Sequence, residues 1–281
     1  MGILLALVSA TCYGLSDYIG GLLARRAPFL TVALAGQLGG LVLTLVAAPL
    51  TAGPAVTGAD LGWGALSGVG TGLGMMFLFR GLSHGTMSVV VPVSAVGGVA
   101  LPVVVGVALW GDRPSALIWA GIAVAVPALW FVSRSSGGGE VGSPAAVLDG
   151  LLASVGIALQ YLALARAHAE AGLWPVTAGR VTAVGVILIA AWCGTGEPLR
   201  SRLSWRRVLG GAGAGAGAAV ALTCYLLATH RELVVVAVVL SSLYPLIPVL
   251  LGVTILREPL SPARGVGLVA ALVATVLIAL G

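Results

Sequence analysis

Apolar residues run continuously along this chain for about 20 positions at a time, the length that crosses a bilayer as a helix. Ten such runs fall near 3–23, 30–50, 60–80, 87–110, 115–133, 146–166, 173–194, 207–228, 234–256 and 263–280. Sharp polar breaks separate them at Arg25-Arg26-Ala27-Pro28, Gly111-Asp112-Arg113-Pro114 and Arg257-Glu258-Pro259. The longest breaks are 134–145, with Gly137-Gly138-Gly139, and 195–207. In lipid every backbone N–H and C=O must be satisfied internally, so only helices or a closed barrel can span. Barrel strands alternate apolar and polar positions, and these runs do not. The pattern predicts an all-α, multi-pass integral membrane protein of ten transmembrane helices; basic residues that are all arginine, with abundant Gly and Ala, suggest a bacterial source and hence the inner membrane.

Composition supports lipid as the solvent. Of 281 residues, 59% are hydrophobic and 8% charged, against about 25% charged in soluble domains. Residues 1–24 lack a basic leader and run on into further spans, so they read as the first helix rather than a secretory signal. All 14 basic residues are arginine, scattered between apolar runs. That scatter suits anchoring at a membrane surface and argues against nucleic acid as a partner. Without lysine there is no Walker motif and no ATP-driven step from this chain. Cys12, Cys193 and Cys224 lie inside apolar runs without metal-ligand spacing and read as packing residues. No cofactor or metal is expected, and no hydrolytic constellation makes the chain an enzyme. Gly68-Val-Gly-Thr-Gly-Leu-Gly74 and Gly210–Gly217 are read as surfaces for close helix approach, not phosphate loops.

The chain also repeats. A shift of 146 residues carries Pro102 onto Pro248, Gly106 onto Gly252, Asp112 onto Glu258, Ser115 onto Ser261, Gly121 onto Gly267 and His84 onto His230. Nearer the start of each half, a shift of 143 carries Asp17-Tyr18 onto Gln160-Tyr161, and Gln37 onto Arg180. Five helices per half is an odd number, so the second copy enters from the opposite side. The expectation is two inverted five-helix repeats, 1–140 and 141–281, a transporter architecture with its site near the midplane.

Leu243-Tyr-Pro-Leu-Ile-Pro-Val-Leu-Leu-Gly-Val-Thr-Ile-Leu-Arg-Glu-Pro-Leu-Ser261 resembles the ninth helix and following turn of EamA-type carriers of the drug/metabolite transporter superfamily. Pro102 through Gly106 to Gly111-Asp112-Arg113-Pro114-Ser115 resembles the same motif, and Tyr13-Gly14-Leu15-Ser16-Asp17 the family's first helix. The chain departs from the usual Gly-Glu turn at Arg257 in one copy and at Asp112 in the other. The resemblance implies secondary transport by alternating access around a central cavity, often export of amino acids or other small metabolites.

Costly polar groups inside spans are the candidate site. Asp17 is a proton or cation site on one reading and a structurally paired acid on the other, with Tyr18 beside it as a cavity wall. Arg180 needs an anion, from Asp17 or from a substrate, unless it snorkels to an interface. Gln37 is its register-mate and a candidate for an interhelical hydrogen bond. Gln160, Tyr161, Ser241 and Tyr244 complete the substrate- or ion-binding set, with Ser242 beside them. Arg80, His84 and His230 sit at span ends, the histidines in short turns. Asp112 and Glu258 are expected to cap helices or pair with Arg113 and Arg257. Pro92, Pro102, Pro245 and Pro248 are expected to kink helices four and nine. The cavity is expected between helices one, two, four, six, seven and nine.

The functional expectation is a secondary transporter of a small amino-acid-like or amphipathic metabolite, with proton-coupled export as one form. Uncoupled facilitation and a non-transporting scaffold are the alternatives. Its partners would be a small-molecule substrate, the bilayer and protons. Orientation stays open: arginines crowd the odd-numbered loops, which puts both termini outside, whereas the resemblance implies cytoplasmic termini.

Overall fold

A computed structural model describes residues 2–51, 56–105, 107, 113–133, 143–164, 166–193, 204–229, 243–258 and 260–280. Among these residues the chain forms ten α-helices: α1 Gly2–Ala24, α2 Phe29–Thr51, α3 Gly58–His84, α4 Met87–Val105, α5 Ala116–Ser133, α6 Pro144–Leu164, α7 Trp174–Trp192, α8 Trp205–Thr229, α9 Leu246–Thr254 and α10 Pro262–Leu280. Six of them, α1, α2, α3, α6, α7 and α8, are long and apolar enough to cross a membrane. The protein is a multi-pass membrane protein.

Polar punctuation becomes helix starts. Thr57 and Asp60 form a reciprocal capping box on α3. Ser115 accepts from the Leu117 N–H at 3.2 Å, and Ser143 from the Ala146 N–H at 3.2 Å, at the starts of α5 and α6. Pro175 stands in the first turn of α7, where its missing N–H costs nothing. Pro245 is the N-cap of α9. His230, Asp112, Ser241 and Ser242, and the expected start of helix nine near 234, lie outside the described residues.

The burial pattern inverts that of a soluble protein. Val42, Val46 and Leu50 point outward, while Ser9, Thr44, Ser67 and Ser154 are buried. Lipid is as apolar as leucine, so there is no gain in hiding large apolar side chains; small and polar residues take the interior instead. α3 packs against α6 and α7, α8 against α1 and α2, α4 against α6, and α9 against α1. α2 faces α7, and α5 faces α10. Glycines set the closest crossings: Gly64 and Gly68 lie on the backbone of Pro175 and Gly179, while Gly39 and Gly215 lie on the backbone of Ala212 and Gly36.

Three polar clusters join residues before 135 to residues after 143. Glu258 accepts from Arg25 Nη2 at 2.6 Å and from the Met87 and Ser88 N–H groups at 3.0 and 3.1 Å. It thus caps α4 from a distant turn, and pairs with Arg25 rather than with Arg257. Arg25 also donates to the carbonyls of Leu82 and Gly85. Asp149 of α6 accepts from Arg80 Nε at 2.9 Å and contacts His84 Nε2 at 2.9 Å. His84 is therefore the last residue of α3, not part of a turn, because Asp149 holds that final helical turn in place. At the opposite ends of these helices, Asp60 accepts from the backbone N–H of His168 at 2.8 Å and contacts its Nδ1 at 2.9 Å.

Arg257, where the family pattern has glycine, adopts φ 53°. A side chain in that left-handed region costs about 1–2 kcal/mol. Arg257→Gly is expected to stabilise the protein by about 0.5–1 kcal/mol after glycine's larger unfolded-state entropy is counted. A higher thermal unfolding midpoint in detergent would register this gain; a lower one would mean that the arginine side chain contributes more than its backbone strain costs.

Candidate functional site

Two charged side chains reach the interior from opposite ends of the bundle. Asp17 lies about 10 Å inside the C-terminal end of α1, and Arg180 about 9 Å inside the N-terminal end of α7. Each is 7% exposed. Both line one cavity, which encloses about 670 Å³ of space including its mouth.

Gln160 and Tyr161 of α6, Tyr13 of α1 and Tyr244 just before α9 share the same wall. The rings of Tyr13 and Tyr244 stand 5.9 Å apart, tilted by 50°, within the range of favourable aromatic pairing. Met75, Leu78 and Ile157 supply the apolar part of the lining, and Thr71 and Ser94 add hydroxyls. The site therefore offers one anion, one cation, phenol faces and neutral hydrogen-bonding groups around a mostly apolar space. Among the described residues, no three His, Cys, Asp or Glu side chains gather to hold a metal ion.

The structure brings Asp17, Gln160, Tyr161, Arg180 and Tyr244 together. Gln37 sits behind them, 1% exposed, and its Oε1 accepts from Arg180 Nη1 at 2.7 Å. Arg180 thus pairs with an amide rather than with Asp17. Tyr18 does not reach the cavity lining. It joins the apolar core with Met76, Phe79 and Leu82, because one residue along a helix turns the side chain by about 100°. α2 contributes no lining side chain to this cavity, whereas α3 and α8 do, through Thr71, Met75 and Ala218. Glycine-rich crossings let these two helices come inside the expected ring. Tyr13 carried a legible signal, since it precedes Asp17 by four residues and must share its helix face. Thr71 and Ser94 are single hydroxyl residues in long apolar or glycine-rich runs, where hydroxyls commonly bond their own backbone. Both do so here: Thr71 bonds the carbonyl of Ser67, and Ser94 that of Val91.

Comparison with known proteins gives the relationship. No curated protein matches the chain. A crystal structure, described only as that of a protein, superposes with a TM-score of 0.56 at 19% identity, covering 96% of each chain. That likeness speaks for the fold alone. The model of the EamA-like transporter family matches twice, over residues 1–134 and 145–280. Together the two matches take in nearly the whole sequence, and the chain belongs to the EamA-like transporter family.

Proposed function

We propose that this protein is a secondary transporter carrying a small amino-acid-like or amphipathic metabolite by alternating access, in the bacterial inner membrane. The observation that carries this reading is the cavity itself. Two buried, oppositely charged side chains, one from each family match, line the same cavity between the two halves of the chain. Such groups are expensive inside a bilayer and are retained where they bind or relay something.

The architecture we propose is ten transmembrane helices in two inverted repeats, 1–140 and 141–281. Exchanging each helix with the one five places later turns the α3–α6 packing into α8–α1, α3–α7 into α8–α2, and α4–α6 into α9–α1; each of these pairs is in contact. The α2–α7 and α5–α10 contacts map onto themselves. Gln37 and Arg180, register-mates in the repeat, are hydrogen-bonded to each other. An axis running between α2 and α7 accounts for all of this.

Asp17 is the proposed proton-coupling group. A carboxyl crosses low-dielectric surroundings far more cheaply when protonated, and among the described residues Asp17 makes no ion pair that would hold it charged. The same observation weighs against uncoupled facilitation built on an Asp17–Arg180 pair. In reconstituted vesicles loaded with a mixture of labelled metabolites, Asp17→Asn is expected to abolish pH-gradient-driven flux while downhill exchange continues. Unchanged gradient-driven flux would remove Asp17 from the coupling role.

A further inference from the structure

Arg180 carries a charge that no described carboxylate pairs with directly. Its guanidinium has five N–H donors in a planar fork. Nη1 donates to the neutral Gln37 Oε1, and no described carboxylate lies within ion-pair distance. At 7% exposure and about 9 Å inside α7 the side chain does not snorkel to the surface. A cation at such depth is costly without a direct counter-charge.

Space surrounds the fork. Besides the main cavity, Arg180 borders two small adjoining clefts. Position 40 helps keep this room: a Cβ there would stand 3.2 Å from both Cζ and Nε of Arg180. Ser67, Thr71 and Gln160 line the smaller pocket beside it, all neutral hydrogen-bonding groups.

We propose that Arg180 is the anion-binding subsite of the cavity: the transported molecule bears a carboxylate, gripped by the edge of the guanidinium that Gln37 leaves free. Gln37 acts as the positioning residue that fixes the plane of the fork. Carboxylate and guanidinium match as a bidentate pair, which supplies the missing counter-charge. The claim rests on the transporter reading above for the word "transported", not for the binding. Charge balance then adds a condition. Arg180 and an ionised Asp17 leave the empty cavity neutral, so an arriving carboxylate must be accompanied by a proton on Asp17 or by a cationic group on the same molecule.

Thermal unfolding of the protein in lipid nanodiscs tests this with three probes of one shape: 4-phenylbutyrate, 4-phenylbutyramide and 2-amino-4-phenylbutyrate, each at millimolar concentration. At least one carboxylate probe is expected to raise the midpoint, and the amide is not. If phenylbutyrate suffices, the balancing charge is a proton; if only the amino acid does, it is the substrate's own ammonium. Arg180→Gln is expected to weaken the effective probe at least tenfold, with Arg180→Lys keeping part of the response. Gln37→Glu places an internal carboxylate on the same fork, so it should raise the midpoint without probe and erase the response; this variant decides the matter if Arg180→Gln does not fold. Equal effects of acid and amide, no shift with any probe, or a response surviving Arg180→Gln would overturn the proposal. Vesicle uptake of the labelled probe separates the two readings. Binding through Arg180 without uptake sinks the transporter reading alone, and uptake indifferent to Arg180→Gln sinks the anion subsite alone.

Discussion

Gly215→Ala, the addition of one carbon, is expected to cost more than about 3 kcal/mol and to leave little folded protein after detergent extraction. A Cβ at position 215 would lie 1.7 Å from the carbonyl oxygen of Gly36 and 2.4 Å from its carbonyl carbon. Both are backbone atoms, so no rotamer change relieves the overlap. α2 and α8 would have to part by more than about 1 Å over their crossing, losing dispersion contacts along its length. The damage reaches the site, because α2 carries Gln37 and the same crossing borders the pocket next to Arg180. Position 213, two residues away on the same helix, provides the control: nothing lies within 4 Å of a Cβ built there. Gly213→Ala should be neutral or stabilising by up to about 1 kcal/mol, since alanine is the better helix former. Unfolding midpoints for the two variants, measured side by side, distinguish close approach from helix propensity. Equal midpoints would mean that the crossing is looser than the coordinates indicate.

Glu258→Gln is expected to cost about 3 kcal/mol, the lower end of the range for breaking a buried pair, because the Arg25 side chain keeps 25% exposure. The carboxylate accepts from three donors, two of them N–H groups at the start of α4 that have no partner within the helix. An amide can accept at one atom only: with its oxygen toward Arg25 and Met87, its own N–H donors face the Ser88 N–H. Partly screened exposed pairs give well under 1 kcal/mol, so a loss of that size would mean the cluster is solvated. Arg25→Lys makes a milder second variant: it keeps the charge but loses the fork that also reaches the carbonyls of Leu82 and Gly85. These groups sit beside the apolar core of Leu30, Phe79, Leu82 and Met87, at the end of the bundle also joined by Asp149, Arg80 and His84. In the alternating-access reading that end must part in the other conformer. Glu258→Gln should therefore also raise labelling of a cysteine placed at Ser94, in a background without the native cysteines, by an impermeant maleimide added from that side.

The order and approximate positions of the described helices could be read from the chain alone. Uninterrupted apolar runs in lipid leave the backbone no alternative to helix, and helix ends fell where Thr57, Ser115, Ser143 and Pro175 could satisfy or dispense with terminal N–H groups. That Asp17, Gln160 and Arg180 are candidates was equally legible, because an ionisable or amide side chain deep in a span carries a cost that needs a reason, and all three line one cavity. Which groups meet was not legible. Hydrophobic periodicity is nearly silent in a chain that is apolar on all sides, so it could not turn Tyr18 into the core or bring α3 and α8 inward to line the cavity. Partners across the bundle are separated by 143 residues for Gln37 and Arg180 and by 233 for Arg25 and Glu258. The sequence left Glu258 between capping a helix and pairing with Arg257; packing across the bundle made it the cap of α4 and the partner of Arg25. Burial cost is a property of each residue and is written in the sequence; compensation of that cost is a property of pairs, and only the packing of the helices decides it.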